Sequence, residues 1–104
     1  MKGTYLGEFE ELVLLVVGAH SGDAYGVSIA TTIEDEARRS VTISTIHSVL
    51  YRLEKKGYVE SYMGGATNER GGRKKRLFKI TAEGQTVLAF SKDLRNRLWN
   101  LMPE

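Results

Sequence analysis

A run of hydroxyl-bearing side chains between positions 42 and 56 has the residue types and spacing to bind a polyanion. If this stretch is a helix, Ile46, Val49, Leu50 and Leu53 share its apolar side. Small hydroxyl residues on the other side allow a helix to approach a DNA major groove, where hydroxyls can bond phosphates or base edges. An ordinary polar helix face is the alternative. We predict that the DNA contacts of this helix are Ser44, Thr45, His47, Ser48, Tyr51 and Arg52.

A second cluster follows between Arg70 and Lys79, where six Lys and Arg occur with no acid. Glycine pairs at 64–65 and 71–72 indicate a hairpin with a long tip. Cations on such a tip bind the sugar-phosphate backbone and release counterions, although a solvated basic loop would have the same composition. Together with the carboxylate-poor helix before it, the cluster favours nucleic acid as the partner. We predict DNA contacts from Arg73, Lys74, Lys75 and Arg76.

Hydropathy periodicity predicts the elements that position these residues. Helices are expected at residues 6–19, 24–37, 42–56 and 82–102, and strands at 58–63 and 76–81. Asp23, Thr42 and Thr81 are expected to cap the second, third and fourth helices, and Gly57 to end the third. In the second strand, Phe78 and Ile80 are expected to face the core, and Leu77 and Lys79 the other side.

This order predicts an α+β fold: a winged helix-turn-helix of three helices and a two-stranded wing, plus a long C-terminal helix. The expected division is a DNA-binding domain at residues 1–81 and a C-terminal dimerisation helix at 82–104. The apolar stripe of the last helix needs a cover, and a second copy of the chain is the expected one. The predicted dimer contacts are Val87, Phe90, Leu94, Leu98 and Leu101. Trp99 either packs in that dimer or offers an aromatic surface to a small apolar or cationic ligand.

Composition excludes several other functions. The chain has 104 residues and no cysteine, which excludes disulfides and thiolate chemistry, and His20 and His47 lie far apart with no ligand pattern around them. We therefore expect no metal and no cofactor. We find no catalytic constellation and predict that the chain is not an enzyme. The longest apolar run, residues 12–19, is too short to cross a membrane, so we expect a cytoplasmic protein with no membrane partner.

Charge is distributed unevenly along the chain. Residues 1–37 hold one Lys against seven acids, whereas residues 38–104 hold fourteen Lys and Arg against six acids. Such asymmetry is consistent with a polyanion on one side of the molecule, although two ordinary solvated faces would also produce it.

Segments 6–15, 24–30, 41–59 and 72–84 resemble, in that order, the corresponding segments of the PadR family of bacterial regulators. The resemblance implies a homodimeric transcription factor, usually a repressor of a palindromic operator, whose last and first helices form the dimer. The chain is similar to the compact subgroup, some members of which sense small molecules with an interfacial tryptophan to which Trp99 could correspond. It departs from the family at His47, where tyrosine is usual, and at Ser48, where proline or another small residue is common. A winged-helix module that binds protein instead of DNA is the alternative function; the basic wing argues against it.

Overall fold

The structure, a computed structural model, describes residues 6–64 and 74–104, which form four helices and one two-stranded antiparallel sheet. The elements are α1 (Glu8–Ala19), α2 (Gly26–Ala37), α3 (Ile43–Lys55), β1 (Val59–Gly64), β2 (Lys75–Ile80) and α4 (Ala82–Leu101). Their order is the predicted one, and it is the winged-helix arrangement with an additional C-terminal helix. The predicted α+β fold class is therefore confirmed.

The core lies where the apolar faces of α1, α2 and α3 meet. Fully buried aliphatic side chains from each helix form its centre, and each contributes about 1.5–3 kcal/mol relative to an exposed position. The largest of them are Val13, Leu14, Val17, Ile29, Ile33, Ile46, Val49, Leu50 and Leu53. Because α3 places four such residues on one side, its opposite side is left to solvent.

Two threonines begin helices as predicted. The Thr42 hydroxyl accepts the Thr45 backbone N–H at 3.1 Å, and the Thr81 hydroxyl accepts that of Gly84 at 3.0 Å. Each bond satisfies one backbone donor that the first turn of a helix leaves free. Gly57 follows α3 with a φ of 85°, a left-handed conformation that glycine adopts without steric cost.

The prediction that Asp23 caps α2 is wrong, because α2 begins at Gly26 with Tyr25 as its N-cap residue. The Ser28 hydroxyl accepts the Tyr25 backbone N–H at 3.0 Å and lies 2.7 Å from the Asp23 carbonyl oxygen, to which it donates. Asp23 instead belongs to the preceding turn, since its backbone N–H donates to the His20 carbonyl at 2.8 Å.

Strands β1 and β2 pair from Val59 opposite Ile80 to Gly64 opposite Lys75. The expectation that Leu77 faces away from the core beside Lys79 is only half correct. Leu77 is on the face opposite Phe78 and lies outside the core cluster, yet it is 5% exposed. It sits across from Tyr62 and against Gly64, where a Cβ would stand 3.4 Å from its Cδ1 atom. Because Gly64 on the partner strand has no side chain, there is room to bury Leu77.

Candidate nucleic-acid interface

The solvent-exposed face of α3 carries the side chains that were predicted to contact DNA. Ser44, Thr45, His47, Ser48 and Tyr51 are all exposed and lie on the side of the helix away from its buried residues. The first turn contains no acid, so the positive end of the helix dipole is open to an anion. The hydroxyls of Thr42 and Thr45 are 2.9 Å apart, and the first donates to the second. The helix therefore presents a row of small polar groups without a carboxylate in that turn.

His47 also lies against the first residue of α2. A Cβ on Gly26, the first residue of α2, would lie 2.9 Å from His47 Nε2 and 3.3 Å from Ile43 Cγ2. Only glycine therefore allows α2 to begin this close to α3 without a shift of the ring. This packing contact between the two helices of the helix-turn-helix is one that the sequence did not indicate for His47.

Arg52 lies on the flank of α3 that faces α1, next to an acid that sequence analysis missed. Its Nε atom is 3.4 Å from Glu10 Oε2, and Lys56 Nζ is 3.0 Å from the same oxygen. Glu10 also accepts the Gly7 backbone N–H at 3.0 Å, and its side chain is 10% exposed. Burial by itself would raise the pKa of Glu10, but these donors outweigh it, so the pKa lies below its ordinary value. Part of the Arg52 charge is thus balanced inside the protein.

The wing, meaning the strands β1 and β2 together with Lys74, is fixed to the helices at the start of α2. The Phe78 backbone N–H donates to the Ala24 carbonyl at 2.8 Å. This bond attaches the edge of β2 that is not paired with β1 to the residues before α2. Lys75 Nζ lies 4.1 Å from the centroid of the Tyr25 ring, a cation–π distance. Lys74, Lys75 and Arg76 are exposed, whereas the predicted contact Arg73 lies outside the described residues.

A cleft of about 320 Å³ separates α3 from the wing, and it is lined by His47, Tyr51, Glu54, Arg76 and Phe78. Arg76 Nη1 donates to the Ser61 hydroxyl at 3.0 Å, and that hydroxyl donates to Glu54 Oε2 at 2.8 Å. Tyr51 is 62% exposed on the opposite wall. The cleft thus brings together a residue from each of the two predicted contact clusters.

The C-terminal helix carries a separate apolar surface. Phe90, Leu94, Leu98 and Leu101 are exposed and form what we call the α4 stripe. Val87, predicted as a fifth member, is 5% exposed and packs in the core of the single chain, so the structure leaves it out of the stripe. Trp99 is exposed as well. Glu11 joins α4 to α1 by accepting two hydrogen bonds from Arg95, at 2.7 and 3.2 Å.

A metal-binding group and a membrane-spanning helix are both absent from the part of the chain that the structure describes. Within residues 6–64 and 74–104, no three His, Asp or Glu side chains form a group able to hold a metal ion. Across the same residues, no helix has the length and apolar character needed to cross a membrane.

Comparison with known proteins gives a consistent result. Residues 13–90 match the model of the transcriptional regulator PadR-like family. An uncharacterized protein of Lysinibacillus sphaericus is 29% identical over 85 residues, which is 80% of this chain and 73% of that protein.

Solved structures match over most of the chain. A PadR family transcription regulator from Clostridium difficile R20291 is 26% identical, with a TM-score of 0.71, over 92% of this chain and 95% of that one. Bacillus subtilis PadR, solved in complex with operator DNA, is 16% identical, with a TM-score of 0.62. The match covers 92% of this chain but only 48% of that protein, and at this identity it shows the fold alone.

Proposed function

Because the chain belongs to the transcriptional regulator PadR-like family, we propose that it regulates transcription by binding double-stranded DNA through α3 and the wing. Membership agrees with the expectation that the chain is not an enzyme. In this proposal α3 is the recognition helix, and its hydroxyl-bearing face enters the major groove. The cations of the wing lie along the adjacent phosphates.

The observation that carries the proposal is the placement of the wing beside the solvent face of α3. The bond between Phe78 and Ala24 and the stacking of Lys75 on Tyr25 hold β2 against the start of α2. Exposed Arg76 shares a cleft with His47 and Tyr51 of α3, a helix whose first turn holds no acid, and exposed Lys74 lies two residues before Arg76 in the chain. A helix with a cation at its side suits a duplex, in which phosphates flank the groove.

The proposed active form is a homodimer assembled through the α4 stripe. Four exposed apolar residues on one helix are unusual for a monomer of this size, and a second copy would remove them from water. A two-fold symmetric pair presents its two recognition helices to two half-sites, so the operator in this proposal is a palindrome.

The finer regulatory role proposed here is that of a cytoplasmic repressor released by a small effector. The exposed Trp99 beside the α4 stripe supports an effector site there, because an indole offers a broad face to an apolar or cationic molecule. Trp99 is the only tryptophan, so its fluorescence reports binding at this position directly.

The proposal is tested by measuring binding to a labelled random-sequence duplex over a range of salt concentrations. We expect affinity to fall steeply with salt, and the double variant Lys74→Ala, Arg76→Ala to bind more weakly with a salt slope lower by roughly two. The matched control is Lys92→Ala, Arg97→Ala on α4, which removes the same charge away from the interface and should leave the slope unchanged. Selection from a random duplex pool then gives the operator.

Three results would contradict parts of the proposal. No retention of any duplex by the wild-type chain would exclude DNA binding and favour the protein-interaction module. Equal losses from the wing variant and the α4 variant would show that the wing has no particular contact. A selected site without two-fold symmetry would contradict the palindromic operator.

A further inference from the structure

Three polar side chains from three different elements form a hydrogen-bonded chain at the edge of the cleft. Glu54 belongs to α3, Ser61 to β1 and Arg76 to β2. The Ser61 hydroxyl donates its single proton to Glu54 Oε2 at 2.8 Å, which leaves its lone pairs to accept Arg76 Nη1 at 3.0 Å. The carboxylate therefore sets the direction of the hydroxyl, and the hydroxyl holds one nitrogen of the guanidinium.

The register of the sheet explains why Arg76 points into the cleft. Ser61 pairs with Phe78, and Met63 pairs with Arg76, so all four residues lie on the same face of the sheet. Phe78 is buried at the floor of the cleft, and Arg76 stands one step closer to the hairpin tip. Because an arginine has five N–H donors in a planar fork, one bond to Ser61 leaves others available to a ligand.

The neighbours of Arg76 differ from those of the other wing cations. Lys74 belongs to neither strand, and Lys75 is stacked on Tyr25. Arg76 has a side-chain hydrogen bond that limits the positions of its guanidinium, and it shares the cleft with Tyr51 and His47. A phosphate oxygen in the mouth of this cleft would lie between Arg76 on one wall and the exposed Tyr51 side chain on the other.

We propose that Ser61 and Glu54 are positioning residues that hold Arg76 in place to bind one DNA phosphate at the cleft between α3 and the wing. The inference rests on the proposed function. It adds Ser61, which is uncharged, and Glu54, which is acidic, to the residues that determine DNA affinity. Holding the fork before binding removes part of the entropy loss that an unrestrained arginine would suffer. An acid close to DNA would ordinarily weaken binding, and here its carboxylate is occupied by the serine that holds the arginine.

The test is a double-mutant cycle between Ser61 and Arg76, measured with a labelled random-sequence duplex and with the duplex obtained by selection. We expect Ser61→Ala to weaken binding roughly three- to ten-fold, since one hydrogen bond is lost. Ser61→Thr keeps the hydroxyl and should restore wild-type binding. In an Arg76→Ala background, Ser61→Ala should have no further effect, because the side chain that it positions is gone.

A comparison of two acids separates positioning from general electrostatics. Glu54→Ala and Glu60→Ala each remove one negative charge. Glu60 is 64% exposed on the opposite face of β1, where its Oε1 atom lies 3.9 Å from Lys79 Nζ. Long-range repulsion predicts tighter DNA binding for both variants. Positioning predicts tighter binding for Glu60→Ala and weaker binding for Glu54→Ala.

The outcomes distinguish this inference from the proposed function. If the wild-type chain binds no duplex, the proposed function fails and the inference falls with it. If the wild-type chain binds but Ser61→Ala weakens binding equally with and without Arg76, the positioning role is overturned while DNA binding stands. Thermal unfolding of each variant excludes a general loss of structure, and equal gains in affinity for both acid variants would also overturn the inference.

Discussion

Glu10 connects the first helix to the end of the helix that carries the candidate interface. Its carboxylate receives Lys56 Nζ at 3.0 and 3.1 Å, Arg52 Nε at 3.4 Å and the Gly7 backbone N–H at 3.0 Å. A carboxylate that is only 10% exposed is stable in ionised form when such donors surround it. Glu10 therefore links α1 to the end of α3, in addition to the core contacts between the two helices.

Replacing Glu10 with glutamine should lower the free energy of unfolding by about 1–3 kcal/mol at neutral pH, because two cations lose their partner. Since the folded-state pKa of Glu10 is lowered, its ionised form stabilises the protein above the unfolded pKa of about 4.3. This contribution disappears as the pH falls through the folded pKa. Urea unfolding of both proteins from pH 7 to pH 3 should show the difference shrinking below about pH 4.

Glu8→Gln is the matched control for this measurement, because Glu8 lies in the same turn but is 70% exposed and bonds only Arg39, at 2.7 Å, among the ion pairs of the described residues. Its effect should be clearly smaller, as expected for a surface ion pair. A difference between wild type and Glu10→Gln that stayed constant down to pH 3 would show that the carboxylate does not act through its charge.

At the scale of the elements, α4 packs closely against the turn that enters β1. Gly84, in the first turn of α4, is buried, and a Cβ there would lie 2.3 Å from the Tyr58 carbonyl oxygen and 2.8 Å from Ile80 Cγ1. The Thr81 hydroxyl donates to the Gly57 carbonyl at 2.7 Å beside it. Helix and hairpin therefore meet backbone to backbone at this point, which sets the direction in which α4 leaves the domain.

Gly84→Ala should destabilise the protein by about 1–3 kcal/mol, because backbone atoms must move to admit the methyl group. Gly18→Ala is the matched control in α1. A Cβ at Gly18 would make an ordinary contact of 3.7 Å with Ile80, and alanine should stabilise the helix there by up to about 1 kcal/mol. Thermal unfolding should therefore shift in opposite directions for the two variants. A Gly84→Ala protein as stable as wild type would show that α4 can move freely away from the hairpin.

For the whole molecule, the two functional surfaces lie on different elements. The interface proposed for DNA is formed by α3 and the wing, whereas the α4 stripe belongs to a 20-residue helix that is mostly exposed along its second half. The ion pairs of α1 connect these parts, since Glu10 bonds α3 and Glu11 bonds Arg95 on α4. Assembly through α4 would consequently determine where two copies of α3 stand relative to each other.

Leu94→Asp should convert the proposed dimer to a monomer, because it places a charge in the middle of the α4 stripe. Light scattering at several protein concentrations measures the change, and binding to the selected duplex should weaken at the same time. Asp93→Leu is the control, because it exchanges the same two residue types in the opposite direction at the neighbouring exposed position. This variant adds no charge to the α4 stripe and should remain a dimer. Survival of a Leu94→Asp dimer would place the subunit contact elsewhere.

Much of the fold could be predicted from the sequence because its determinants are local. The apolar spacing of α3, the threonine caps at Thr42 and Thr81 and the left-handed Gly57 depend on residues within one or two turns of each other. The basic and hydroxyl-bearing residues of the candidate interface were also identified from their types, and the structure finds those that it describes exposed. Asp23 was misplaced because its turn is closed by backbone bonds that side-chain type does not indicate.

The order of the elements and the solvent-exposed side of α3 follow from the residue pattern alone, because helical periodicity sorts residues between core and surface. Which distant groups meet depends instead on how the chain packs: Glu10 with Lys56, Glu54 with Ser61 and Arg76, Val87 with the core and Gly84 with Tyr58. These contacts join residues of different elements. Their geometry depends on how the helices and the hairpin pack in space, which no local pattern of residue types specifies.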